Sequence, residues 1–61
     1  MNDLRMVVGE KFMGKRSRVP MEIIGFDRDE AIIREIESGY TFRYCVDALR
    51  RAEMERIKEG E

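Results

Sequence analysis

Cationic side chains are the residues of this chain best suited to binding chemistry. They are concentrated at residues 11–18 and continue on two predicted strands, and Tyr40 beside a turn adds an aromatic ring. Lysine and arginine bind phosphates and carboxylates, and an exposed aromatic ring stacks on nucleic-acid bases. The candidate binding residues are Lys11, Lys15, Arg16, Arg18, Arg34, Tyr40 and Arg43. The alternative interpretation is that these charges only solvate a loop and protect edge strands from aggregation.

The residue types needed for catalysis are scarce in this chain. It contains no histidine, which is the commonest general base and metal ligand, and Cys45 is its only cysteine. A thiol with no histidine to activate it is far more often a packing residue than a nucleophile. The acids Asp27, Asp29 and Glu30 lack the glycine and distal glutamate of a calcium-binding loop. We therefore expect no enzymatic activity, no metal and no cofactor.

The length and charge of the chain limit its class. Its 61 residues suffice for one domain, taken as 1–61 with an ordered core at about 7–58. With no disulfide, no signal-peptide pattern and no apolar run of ~20 residues, we expect a cytoplasmic protein without a membrane span. The net charge of −1 argues against nucleic acid as the ligand. The net positive charge of residues 1–20 keeps that ligand open.

The apolar pattern predicts four strands and a closing helix. The strands are expected at residues 10–14, 21–26, 30–37 and 40–46, and the helix from an N-cap at Asp47 to about residue 58. Residues 29–38 could also form a helix, because Ile32, Ile33 and Ile36 share one helical side. We favour a strand there, since the segment is short and an aromatic strand follows it.

Two predicted turns fix which residues face each other. A hairpin centred on residues 27–29 places Ile23 opposite Ile33, and a two-residue turn at Ser38 and Gly39 places Tyr44 opposite Ile33 as well. The core face then collects Met21, Ile23, Ile33, Phe42 and Tyr44. Glu35 falls on the same face, and a bulge near it that turns Ile36 inward would remove this conflict.

The opposite face of the predicted sheet carries an apolar row and a like-charge pair. Ile24, Ile32 and Cys45 form the row, and Arg34 lies opposite Arg43. One short helix can hardly cover this row and also close the core with Leu49. The row is therefore a candidate interface with a second copy or with another protein.

The spacing of apolar residues and glycines resembles that of small SH3-like barrels, which occur in short phage and bacterial accessory proteins. The resemblance covers about residues 7–50 and is carried by segments 8–12, 21–25, 33–39 and 40–44, with Leu49. It implies a mainly β fold with a C-terminal helix, either a four- to five-stranded barrel or a curled antiparallel sheet. It also implies a habit of binding proteins or nucleic acids, and it assigns no catalytic residue.

Two functions remain in competition. The first is a non-enzymatic protein-interaction module that binds and modulates a larger host protein. The second is a small nucleic-acid-binding barrel that uses the basic loop at residues 11–18.

Overall fold

Five strands and one six-residue helix make up the structure, a computed structural model that describes residues 4–57. The elements are β1 (Lys11–Gly14), β2 (Pro20–Asp27), β3 (Glu30–Glu35), β4 (Thr41–Cys45), α1 (Val46–Arg51) and β5 (Met54–Arg56). The strands form one antiparallel sheet in the order β4-β3-β2-β1-β5. Within the described residues β4 and β5 are its two edges. The predicted mainly β class and the curled antiparallel sheet are confirmed, and residues 29–38 contain a strand rather than a helix.

The C-terminal part differs from the prediction because the helix is short. The helix spans Val46–Arg51, and its N-cap position is Cys45 rather than Asp47, which lies in the first turn. Ala52 is extended, with φ −73° and ψ 154°, and ends the helix. The following residues pair with β1 as β5, so that Phe12 lies opposite Arg56. Hydrogen bonds to an existing strand outweigh local helix propensity here.

The β2–β3 hairpin confirms one predicted pair and corrects the other. Ile23 lies opposite Ile33, as expected. However, Asp27 lies opposite Glu30, so the turn contains only two residues and Arg28 adopts a positive φ of 60°. The shorter turn shifts the register by one, and a bulge at Ile24 absorbs the extra residue. Ile32 consequently lies opposite Gly25 rather than Ile24.

The β3–β4 connection is two residues longer than predicted. The Glu35 N–H donates to the Tyr40 carbonyl at 2.8 Å, which leaves four residues, 36–39, in the loop. Phe42 therefore lies opposite Ile33, and Tyr44 lies opposite Ala31. A shift of two residues preserves the side-chain alternation, so the predicted face remains correct while the predicted pairs are wrong.

The expected bulge near Glu35 is absent from the pairing of these described strands. Glu35 lies opposite Met21 in an unbroken part of the ladder. It remains half-buried, and its carboxylate accepts a hydrogen bond from the Ser38 hydroxyl at 2.8 Å. This hydrogen bond removes the need to turn Glu35 away, and Ile36 stays exposed.

The core lies on one face of the sheet. Its buried members are Phe12, Met21, Ile23, Ala31, Ile33 and Leu49, and the partly buried Leu4, Met6, Phe42, Tyr44, Val46 and Met54 pack against them. Leu49 is fully buried, so α1 contributes the predicted closing side chain. Buried residues alternate along β1, β2 and β3, because successive side chains of a strand point to opposite faces.

A buried carboxylate fixes the segment that precedes β1. Glu10 is 7% exposed, and its carboxylate accepts the backbone N–H groups of Arg5 at 2.7 Å and Met6 at 2.9 Å. Hydrogen bonds to an ionised group offset much of the cost of burying it. The segment is thereby held where Leu4 and Met6 reach the core.

We predict that Ile23→Ala destabilises the domain more than Phe42→Ala does. Ile23 is fully buried, and its truncation leaves a cavity that costs about 2–5 kcal/mol, enough to unfold much of a marginal domain. Phe42 is only partly buried on an edge strand and can relax. Thermal unfolding measures both, with Val8→Ala, at a 63% exposed position, as the control. Equal Tm losses for Ile23→Ala and Val8→Ala would place Ile23 outside the core.

Candidate binding surface

The cations of the basic segment form one exposed loop between β1 and β2. Lys15, Arg16 and Arg18 are all exposed. The loop is held by backbone hydrogen bonds from Arg18 to Gly14 at 2.9 Å and from Lys15 to Glu53 at 3.0 Å. Arg18 has a positive φ of 58°, and its guanidinium lies 3.9 Å from the Glu55 carboxylate. This loop therefore concentrates positive charge at one end of the sheet.

The two strand arginines do not extend this basic surface. The predicted Arg34–Arg43 pair is wrong, because the longer β3–β4 loop places Arg34 opposite Thr41 and Arg43 opposite Ile32. Arg34 donates to the Glu22 carboxylate at 2.9 Å. Lys11 also lies opposite Glu22, so these three charges form one row across β1, β2 and β3.

Arg43 is compensated by two carboxylates of its own sheet. Its guanidinium donates to Asp27 and lies 3.8 Å from the Glu30 carboxylate. The hydrogen bond and the negative charge of Asp27 raise the pKa of Arg43 above its ordinary value. Arg43 is therefore a fixed cation whose charge is balanced locally.

The β2–β3 turn contains a shallow polar depression of about 320 Å³, lined by Asp27, Arg28, Asp29, Glu30 and Arg43. Three carboxylates and two guanidinium groups make it an open ion-pair surface rather than an apolar ligand pocket. Within residues 4–57, no three acidic, histidine or cysteine side chains are grouped so that they could hold a metal ion.

An exposed apolar surface lies near the β3–β4 loop. Tyr40 is 63% exposed, as expected, and its ring stacks on Phe42 with centroids 6.0 Å apart and an interplanar angle of 24°. The Ile36 N–H donates to the Pro20 carbonyl at 3.1 Å, which brings the loop beside the start of β2. Val19 and Ile36 are also exposed. We call Val19, Ile36 and Tyr40 the end patch.

The sequence indicated only part of this end patch. Tyr40 is identifiable from the sequence because it adjoins a turn, whereas nothing in the residue types around Val19 and Ile36 indicates that they lie on the same surface. Two apolar residues beside loop residues are a weak signal, since single exposed apolar side chains are common. Ile36 comes beside the start of β2 only because the β3–β4 loop contains four residues. The residue types at positions 36–39 do not indicate that length.

The residues of the predicted apolar row have other cross-strand partners than expected. Ile24 lies at the bulge and is 38% exposed, while Ile32 is half-buried between Gly25 and Arg43. Cys45 is exposed opposite Glu30. The predicted pairs Ile24–Ile32 and Ile32–Cys45 are therefore wrong, because the bulge and the longer loop move the partners along the strands. The predicted interface at these three residues stays a prediction.

Comparison with known proteins gives no match for this chain, whether with family models, curated proteins or solved structures. Among the helical residues that the structure describes, none belongs to a helix long and apolar enough to cross a membrane.

We predict that releasing Arg43 from its carboxylates strengthens binding to a polyanion. The double variant Asp27→Asn, Glu30→Gln should elute from immobilised heparin at higher salt than the wild type, because it frees a guanidinium. The double variant Glu37→Gln, Glu53→Gln removes the same net charge from exposed positions elsewhere and is the matched control. Identical elution of the two double variants would mean that only net charge matters.

Proposed function

We propose that this protein is a non-enzymatic protein-interaction module whose end patch binds a larger protein. The observation that carries the proposal is the exposure of Tyr40 at one end of the sheet, where the exposed Ile36 lies in the adjoining loop and is held to the start of β2 next to Val19. Tyrosine is enriched at protein interfaces because it offers a large apolar ring with a polar tip. An exposed apolar cluster on a small domain commonly marks such an interface.

The position of Tyr40 suits a binding residue, because neighbouring residues support its exposed ring. Its ring is supported by Phe42, which packs against the core, so the ring is held in place before a partner arrives. Pre-organised aromatic side chains lose little conformational entropy on binding. The Tyr40 backbone N–H also donates a hydrogen bond to the Ser38 hydroxyl oxygen at 3.2 Å.

The charge distribution supports a protein partner more than a nucleic acid. Arg34 and Arg43 are paired with Glu22, Asp27 and Glu30. A nucleic-acid surface gains affinity from uncompensated cations that replace counterions on phosphates. A surface of alternating charge instead gives specificity to contacts with another protein.

We further propose that the fold is a small SH3-like barrel and that the protein acts in the cytoplasm. The strand order, with β5 beside β1 and a short helix between β4 and β5, agrees with a small SH3-like barrel. By this resemblance the protein acts as a cytoplasmic accessory protein of phage or bacterial type that modulates a host complex. The small size of the domain fits a role that depends on a partner.

We predict that the double variant Tyr40→Ser, Ile36→Ser loses the partner that the wild-type chain captures from a bacterial lysate. The loss follows from removing the apolar contact, while both positions are exposed enough that the fold survives. Val8→Ser, at a position that is also 63% exposed, is the matched control and should capture normally. If the wild type and the double variant capture the same amount of partner, and nuclease treatment does not reduce it, the end patch is not the binding surface.

The alternative function, nucleic-acid binding, is favoured by one observation. Lys15, Arg16 and Arg18 lie exposed on a single loop, and the Arg18 guanidinium lies 3.9 Å from the Glu55 carboxylate. Lys11 lies at the other end of β1 from this loop and opposite Glu22, so it is not part of the exposed cationic loop. Such a loop would contact phosphates without reading sequence.

If nucleic acid is the ligand, Lys15→Glu with Arg16→Glu should weaken binding to all sequences alike. Two positive charges become negative at the phosphate contact, a net change of four units, so a low-salt gel shift with single-stranded DNA and RNA should show the loss. Arg50→Glu with Arg51→Glu makes the same charge change on the exposed side of α1 and is the control. Equal binding by the two double variants would remove the loop from the interface.

A further inference from the structure

The end patch and the exposed cations of the β1–β2 loop lie at the same end of the sheet. Strands β4, β3, β2 and β1 are neighbours in that order and alternate in direction, so the start of β4, the end of β3, the start of β2 and the end of β1 fall together. The residue just outside each of these strand ends is exposed. In spatial order these residues are Tyr40, Ile36, Val19 and Lys15. We call these four residues the end row.

The end row has the length of a short extended peptide. Adjacent strands of a sheet are ~4.8 Å apart, so the row measures about 14 Å from β4 to β1. The Ile36 N–H donates to the Pro20 carbonyl at 3.1 Å, which fixes the apolar part of the row to β2. The Lys15 N–H donates to the Glu53 carbonyl at 3.0 Å, which fixes the cationic part beside β5. At ~3.3 Å per residue, about four residues of an extended chain cover this distance.

The cationic end of the row carries positive charge that the described residues leave uncompensated. Lys15 and Arg16 are exposed, and neither side chain forms an ion pair within residues 4–57. Arg18 differs from them, because its guanidinium lies 3.9 Å from the Glu55 carboxylate. Lysine and arginine both bind carboxylates through charge-assisted hydrogen bonds. A carboxylate from a partner therefore meets two cations that have no competing acid in the described chain.

We propose that the end row binds an extended acidic segment of the partner protein, an inference that rests on the function proposed above. An apolar side chain of this segment contacts Tyr40 and Ile36, and acidic residues about four positions away pair with Lys15 and Arg16. Burial of the apolar side chain supplies most of the affinity, because exposed ion pairs alone contribute little. The ion pairs fix the direction in which the segment lies across the sheet.

The end row suits a peptide better than a nucleic acid. Val19 and Ile36 offer no ring for base stacking, and one face of the Tyr40 ring is turned to Phe42. Exposed carboxylates also flank the row, at Glu37, Glu53 and Glu55. A nucleic acid carries a phosphate at every nucleotide and is repelled by these carboxylates. A peptide can instead place its acidic residues at the cations and neutral residues elsewhere.

The first experiment selects peptides that bind the full chain from a displayed library of random sequences. The selected sequences should share an apolar or aromatic residue with an Asp or Glu about four positions from it. Selected peptides with no excess of acidic residues would overturn this inference and leave the proposed function intact. The same holds if no peptide is selected while the wild type still captures a partner from lysate through Tyr40 and Ile36. Failure of the proposed function is recognised separately, by lysate capture that does not depend on these two residues.

The second experiment measures, by fluorescence anisotropy, how tightly a selected peptide binds variants of the full chain. Lys15→Gln with Arg16→Gln should weaken binding roughly threefold to tenfold, because exposed ion pairs are lost. The matched control, Arg5→Gln with Arg28→Gln, removes the same charge from exposed positions outside the row and should bind as the wild type does. Equal weakening in the two double variants would mean that only net charge matters, and the inference would be wrong.

A third measurement uses the wild-type chain alone and does not depend on how any variant folds. Replacing the Asp and Glu residues of the selected peptide by Asn and Gln should weaken its binding, and added sodium chloride should weaken the binding of the original peptide. Unchanged affinity in both cases would overturn the inference. Single-stranded RNA of random sequence is the competitor. If it displaces the labelled peptide at a lower concentration than the unlabelled peptide does, nucleic acid is the preferred ligand and the acidic segment is excluded.

Discussion

The position of Ile23 is the constraint on which the rest of the sheet depends. Its side chain is fully buried and lies opposite Ile33, which is equally enclosed. Its backbone N–H donates to the backbone carbonyl of Glu10 at 2.9 Å, and its carbonyl accepts from the backbone N–H of Gly9 at 2.7 Å. Three segments of the chain therefore meet at one residue. A one-residue change in its register would turn the buried side chains of β2 to solvent.

The bulge at Ile24 follows directly from this constraint. Ile23 and Ile33 must remain paired to fill the core, whereas the two-residue turn at Arg28 and Asp29 imposes a register that differs by one. An extra residue must be accommodated between these two points, and Ile24 is the first residue beyond the buried pair. Core packing thus sets the register on one side and turn geometry sets it on the other.

The core face could be predicted from the sequence because strand periodicity is strong. Alternation identified Met21, Ile23, Ile33, Phe42 and Tyr44 as one face, and this set survives a loop that is two residues longer than expected. The exact partners between β3 and β4 could not be predicted, since they depend on whether residues 36–39 or only Ser38 and Gly39 form the loop. The strand Met54–Arg56 was missed because its stabilising bonds come from β1, far away in the sequence.

The candidate site was less predictable than the fold for an electrostatic reason. Residue types identify Arg34 and Arg43 as cations, but only the three-dimensional register shows that Glu22, Asp27 and Glu30 compensate them. Exposed ion pairs contribute little to stability. Their effect here is on the local charge, which is positive at the exposed Lys15 and Arg16, whereas Arg43 of β4 lies against Asp27 and Glu30.

The pairing of β5 with β1 has a consequence for the order of folding. The β1–β2, β2–β3 and β3–β4 contacts join neighbouring segments, whereas Phe12 and Arg56 are separated by nearly the whole described chain. Closing so long a loop costs more entropy, and β5 offers only three residues to offset it. We expect this strand to dock last and to detach first. In a partly folded molecule the unprotected edge is then β1, beside the cationic loop whose charges oppose aggregation.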